Sequence, residues 1–268
     1  MHAIRQPAVA GTFYPRDGKV LANEVVSFLN AATPAIDHVS PKAIIVPHAG
    51  YVYSGQTAAS AYACLSPSRM TIKRVILLGP VHRVPVRGLA LPDVEAFVTP
   101  LGEIKLDQSA MTSIAGLNQV VVSSPAHALE HSLEVQLPFL QTVLNDFQLV
   151  PLAVGDATPA EVAEVLDTLW GGPETVIVVS SDLSHFLPYE MAQLVDKETV
   201  QNILRLNNTL THHQACGGTP INGLLLAARH HHLKPKLLEL CNSGDTAGDK
   251  NRVVGYASFI FIEETSNA

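Results

Sequence analysis

Three apolar runs in this chain stop abruptly on polar ends that carry histidine, and this repetition constrains the fold more than any other feature. Ala43 to Val46 is short and β-branched, is bounded by Pro41 and Pro47, and is followed by His48 and Gly50. Arg74-Val-Ile-Leu-Leu-Gly-Pro-Val-His82 passes Gly79 and Pro80 before reaching His82. Thr175-Val-Ile-Val-Val179 passes Ser180, Ser181 and Asp182 before His185. Runs of this length and composition predict strands buried on both faces, as a parallel sheet covered by helices requires. Ligands of such sheets bind in the crevice outside the carboxyl ends of the strands. The sequence therefore predicts one imidazole-rich site drawing on His48, His82 and His185.

The remaining patterns agree with an α/β fold built on a mainly parallel central sheet. Asp17 precedes a helical stripe of Val20, Leu21, Val25, Val26 and Leu29, and an alanine-rich helix follows at 56–65. Thr158 opens a helix over 159–169, Pro188 begins one reaching about Leu206, and Gly217 and Gly218 precede an apolar helix over 221–228. Further strands are predicted at 84–92, 120–122 and 148–154, with a closing hairpin from 237–241 and 253–262. Leucines at 133, 137, 140 and 144 predict one helix over 130–144, kinked at Pro138. Residues 1–15, broken by Pro7, Gly11 and Pro15, predict an irregular arm, and 93–118 carry no single pattern. Strands alternate with helices and no linker or repeat interrupts them, so a single domain over 1–268 is expected.

Composition narrows the function. Of 268 residues only 15% are charged and 47% are hydrophobic, which supplies a substantial core. A net charge of −7 with dispersed lysine and arginine argues against a nucleic-acid partner. Absence of any uninterrupted run of about 18 apolar residues argues against a membrane span. The first residues lack the apolar core of a signal peptide, and three scattered cysteines make no disulfide framework, so a cytoplasmic, reduced protein is expected.

The twelve histidines ask for a chemical role. Imidazole is both the commonest metal ligand and the usual acid–base group near neutral pH. Asp182 lies three residues before His185, where it could orient an imidazole or simply cap a turn. Cys216 lies in a loop before two glycines, the setting of a reactive thiolate or soft metal ligand. His127-Ala-Leu-Glu-His131 matches the H-x-x-E-H pattern of inverted zinc metalloproteases, but Pro125 places the helix start too late to hold both histidines firmly. Glu130, His131 and Glu134 could alternatively face the site from a helix N-terminus. His230 to His232 read as the solvated last turn of a helix. Phosphate-binding glycine signatures and a serine nucleophile elbow are absent.

Taken together, Pro7-Ala-Val-Ala-Gly-Thr-Phe-Tyr-Pro15, Pro47-His-Ala-Gly-Tyr-Val-Tyr-Ser-Gly55 and Gly79-Pro-Val-His82 resemble the Memo family. The likeness continues through Glu130-His-Ser-Leu-Glu134, Leu137-Pro-Phe139, Ser181-Asp-Leu-Ser-His-Phe186, Ala215-Cys-Gly217 and Gly255-Tyr256. In prokaryotes this family is called AmmeMemoRadiSam system protein B. The resemblance implies a fold like that of class III extradiol dioxygenases and a metal site formed by His48, His82 and Cys216. It places Asp182 and His185 beside the metal as catalytic groups, and Tyr51, Glu130, His131 and Glu134 around the pocket. It implies iron as Fe(II) or copper, ahead of zinc, although a thiolate departs from the two-histidine, one-carboxylate set of Fe(II) oxygenases and favours Cu(I), zinc or a more covalent iron site. A metal-dependent redox enzyme acting on a small molecule is the reading that follows. A binding or metal-carrier module holding a peptide in the same cleft is the alternative, and AMMECR-like and radical SAM proteins are expected pathway partners.

Overall fold

The computed structural model describes residues 3–32 and 40–263. In chain order its elements are β1 (Ile4–Arg5), α1 (Gly18–Ala31), β2 (Ala43–Val46), α2 (Tyr51–Tyr62), β3 (Arg74–Pro80), β4 (Leu89–Leu91), β5 (Ala96–Thr99) and β6 (Gly102–Lys105). They continue with α3 (Gln108–Ile114), β7 (Val120–Val122), α4 (Ser124–Ala128), α5 (Leu137–Val143), β8 (Gln148–Val154) and α6 (Pro159–Leu169). The chain closes with β9 (Thr175–Ser180), β10 (His185–Leu187), α7 (Tyr189–Leu204), α8 (Gly218–His230), β11 (Leu233–Asn242) and β12 (Val253–Glu263).

The main sheet runs β10-β12-β2-β9-β3-β8-β4-β7, with β11 also on β12; β1, β5 and β6 form a separate small sheet. Its centre, β2-β9-β3-β8, is parallel throughout. The predicted strand cores explain this: Ala43 to Val46, Val75 to Leu78 and Val176 to Val179 are all at most 1% exposed, so both faces of the sheet are covered. The chain passes from β2 through α2 to β3 in one direction across the sheet, skipping β9. It returns from β8 through α6 to β9 in the other, skipping β3. Right-handed crossovers running in opposite directions place their helices on opposite faces. Accordingly α2 packs with α1 and α5, while α6 packs with α3 and α8. The reversal opens a crevice at the carboxyl ends of β2, β9 and β3, and the three predicted histidines follow those strands.

Local signals act where they were read. Asp17 caps α1 through Lys19 N and Val20 N, and Thr158 with Glu161 forms a reciprocal capping box on α6. Two expectations change. The predicted helix over 130–144 is a 3-10 turn at Glu134–Gln136 followed by the short α5, and Pro138 lies in the first turn of α5 rather than kinking a longer helix. That position leaves no internal hydrogen bond for proline to break. The predicted 84–92 strand contracts to β4, because Gly88 turns the chain at a φ of 86° just before it. Among the described residues, no helix is long and apolar enough to cross a membrane.

Candidate metal centre

His48 leaves β2 at a turn fixed by Asp182, whose carboxylate accepts from His48 N at 2.7 Å. Its ring orientation is set by a hydrogen-bond chain. Ser180 Oγ donates its single proton to the Ser132 carbonyl (2.6 Å) and accepts from Gln136 Nε2 (2.8 Å). The Ser180 hydroxyl 2.9 Å from His48 Nδ1 can therefore only accept there, so Nδ1 carries the proton and Nε2 keeps its lone pair. Gln136 is itself held by Pro47 O and Tyr62 Oη, so the chain is locked by fully buried groups.

His82, after β3, is fixed by Glu130. The carboxylate accepts from His82 N (2.6 Å) and Nδ1 (2.9 Å), and from His131 N (2.9 Å) and Ser132 N (3.0 Å). Burial alone pushes the Glu130 carboxyl up, but the His82 hydrogen bond and charge together with these backbone N–H groups bring it down to about 2. An ionised carboxylate fixes a His82 proton on Nδ1 and makes Nε2 the nitrogen turned to a metal. His131 Nδ1 lies 3.3 Å from the same carboxylate oxygen. The His131 ring stacks on His82 (centroids 4.7 Å apart, 27° between planes) and meets His48 edge-on at 5.4 Å.

Ligand atoms of His48, His82 and His131 all lie within 4.8 Å of one another. Burial first, and then the neighbouring imidazoles, hold the His48 ring well below the usual histidine range; burial lowers His131 as well. Buried His48 and half-buried His131, with their Nδ1 atoms facing hydrogen-bond acceptors, thus bring ring nitrogens together with one from the more exposed His82. This donor set fits a divalent or soft monovalent metal ion.

Cys216 joins this group from the turn before α8. Its Sγ is 3.3 Å from His48 Nε2, and its backbone N donates to Asp182 O. Gly217 permits the approach, because a side chain there would come within 2.6 Å of Ser181. Contrary to the thiolate expectation, burial, reinforced by the Asp182 charge, pushes the Cys216 thiol up to about 12. Without a cation beside it Cys216 is a thiol whose proton faces the His48 lone pair; a metal would have to displace that proton.

His185 stands at the rim of the crevice. Its Nδ1 lies 2.9 Å from the Leu183 carbonyl, which can only accept, so Nε2 is the basic nitrogen. Two cavities share His185: one of about 650 Å³ that also includes His82, Cys216 and His212, and one of about 610 Å³ that includes Phe13, Tyr53, His131, Asp182, Arg252 and Tyr256. Phe186 has a φ of 60°, a conformation that costs a bulky residue about 1–3 kcal/mol and that clusters at functional sites. Its exposed ring is covered by the Arg252 guanidinium 4.9 Å away.

The predicted residues thus separate by role. His48 and His82 come together with His131 and with Cys216 against His48, while His185 lines both cavities beside them. Asp182 and His185 are not hydrogen-bonded to each other; Asp182 caps the His48 turn, and burial raises its carboxyl. Glu130 orients His82. Tyr51 is buried, donating to Val135 O, and Glu134 is buried against Arg5, Tyr14 and the amides of Ala8 and Val9. His127 points away from the centre: its Nε2 contacts Ala90 O and burial lowers it to about 4, so the H-x-x-E-H pair of histidines does not share a site. The sequence reading placed His131 in the surroundings, whereas the structure sets its ring among the ligands. Its adjacency to Glu130 was the available signal. Phe13 and Tyr53 lie in stretches that carry the family likeness but were not singled out, and Ser180, Gln136 and Arg252 carried no signal of their own.

The Memo-like protein family matches residues 5–260. A MEMO1 family protein of Aquifex aeolicus is 36% identical over 97% of this chain and 99% of its own length. MEMO1 family proteins of Methanosarcina mazei (36%, 96% of this chain, 98% of theirs) and Archaeoglobus fulgidus (34%, 96% and 99%) are similar to the same extent. An uncharacterised Escherichia coli K12 protein of known structure shares 17% identity at a TM-score of 0.49, covering 82% of this chain and 98% of its own.

Proposed function

This chain belongs to the Memo-like family, and from that premise we propose that it is a metal-dependent redox enzyme acting on a small molecule, with iron or copper held by His48, His82 and His131. The observation that carries the reading is the fixed ring orientation of His48 and His82. Their Nδ1 protons are committed to Ser180 and Glu130, which makes Nε2 of both the ligating nitrogen, that of His48 once the Cys216 thiol proton is displaced. Imidazole donors suit iron, copper and zinc alike, and the Cys216 thiol beside His48 shifts the preference towards softer copper or a more covalent iron. When bound, the metal would supply Lewis acidity and electron transfer.

The chain's own residues do the rest. Glu130 keeps the His82 ring turned and raises its basicity. His185, whose Nε2 is left open by the Nδ1 contact with Leu183 O at the junction of the two cavities, takes a proton from bound substrate and returns it to product. Phe13, Tyr53 and Tyr256 supply apolar walls to the 610 Å³ cavity, and Arg252 offers one cationic handle at its mouth. The volume suits a small-molecule ligand.

Elemental analysis of untagged protein purified without oxygen tests this, with His185→Gln alongside. Near-stoichiometric iron or copper in both, together with loss in His185→Gln of any oxygen-consuming or redox turnover seen in wild type, is the expected result. A wild type that takes up no metal even on reconstitution would overturn the proposal and favour a binding module using the same cleft.

A further inference from the structure

Glu130 and His131 lie between α4 and the 3-10 turn at Glu134, in a stretch with no regular secondary structure to hold it. What fixes that stretch comes from the opposite end of the chain. Arg5, 6% exposed, donates from Nε to His127 O (3.1 Å), from one terminal nitrogen to Glu130 O (2.7 Å) and from the other to Glu134 Oε2 (2.5 Å). The Glu134 carboxylate, fully buried, accepts in addition from Ala8 N (2.8 Å), Val9 N (3.0 Å) and Tyr14 Oη (2.5 Å). The Phe13 ring then packs 4.8 Å from the His131 ring, and Phe13 O accepts from Tyr51 N.

We infer that the N-terminal arm, residues 5–14, is a working part of the metal centre, in which Arg5 and Glu134 are positioning residues that hold Glu130 and His131 in ligating register. This rests on the reading of the three histidines as metal ligands. A planar guanidinium bridges the His127 and Glu130 carbonyls ahead of His131 and the Glu134 carboxylate after it, a three-point geometry that lysine cannot reproduce. Arg5 and Glu134 are not an isolated ion pair: between them they satisfy five further polar groups of the arm and of the 127–130 stretch, which ties the register of one to the other. The arm and the metal are then coupled, and the coupling is reciprocal: a docked arm tightens the metal, and the metal tightens the arm by the same factor.

The test uses the full chain with Zn²⁺ and Co²⁺ as probes. Arg5→Lys should bind both roughly 10–100-fold more weakly than wild type, the effect typical of groups that orient metal ligands. Its visible Co²⁺ spectrum should differ from that of wild type even at saturation, because His131 is misplaced. A surface control, Arg69→Ala, should match wild type in both respects. In wild type itself, hydrogen exchange at the amides of Ala8 and Val9 should slow on metal addition, a readout that needs no variant to fold. Unchanged affinity and spectrum in Arg5→Lys, or exchange at Ala8 and Val9 indifferent to metal, would overturn the inference while leaving the metal centre intact. A wild type that binds neither ion would overturn both.

Discussion

Two histidine clusters stand at opposite edges of the central sheet, and only one of them is built to hold a metal. At the carboxyl edge, His48, His82 and His131 converge, with Nδ1 of His48 and His82 hydrogen-bonded to Ser180 and Glu130. At the other edge, where α6 ends ahead of β9, His230 and His231 each take a separate oxygen of Asp167, at 3.0 and 2.9 Å, and His231 lies flat on Trp170 at 3.6 Å. Both clusters pair imidazoles with one carboxylate. In the first the carboxylate is buried and ionised and the rings are turned inward; in the second the carboxylate is in solvent and the rings close on it. Histidine count therefore identifies neither site. What separates them is which ring nitrogen is already committed, and whether water competes for the other.

Substituting the two carboxylates should sharpen that contrast most. Glu130→Gln removes the charge that fixes the His82 tautomer, and metal affinity measured by competition with a chelator should fall about 10–100-fold. The pH dependence of the metal-free protein should come next in size. His48 and His131 titrate below the ordinary range when folded, while the unfolded chain takes up protons near 6.5. The unfolded state therefore binds more protons as pH falls below 6.5, and stability is lost in that direction. Urea unfolding between pH 7 and 5 should show a decline of up to about 1.4 kcal/mol per pH unit for each ring, and saturating metal, which also keeps protons off the rings, should not flatten it. The smallest effect belongs to Asp167→Asn. Its partners are substantially exposed, so stability should change by no more than about 1 kcal/mol and metal affinity not at all. A loss of metal in Asp167→Asn would erase the distinction between the clusters.

The difference also explains what could be read from sequence. Strands β2, β3 and β9 were legible because burial on both faces leaves continuous β-branched runs, and their ends pointed to His48, His82 and His185. Helix caps at Asp17 and Thr158 were legible because capping is local chemistry. The position of His131 was not, since it depends on Arg5 and Glu134, 129 residues apart, meeting in space. For the same reason the sequence suggested one helix over 130–144: leucine spacing records which residues are buried but not that Pro138 begins a new helix. The thiol character of Cys216 escaped for a further reason, because a loop before two glycines looks exposed until Ser181, Asp182 and His48 pack against it. Likewise Glu130 was legible as a residue around the pocket, and only the four donors gathered around it reveal its task.

The identity of the third ligand is the central claim, and one titration tests it directly. Affinity for Zn²⁺ and Co²⁺ would be measured by chelator competition in wild type, His131→Ala and Cys216→Ser. The three-histidine centre predicts that His131→Ala loses most of its affinity, while Cys216→Ser keeps a measurable site with an altered Co²⁺ spectrum. Full affinity in His131→Ala, with binding abolished in Cys216→Ser, would contradict it and assign the third position to the thiolate.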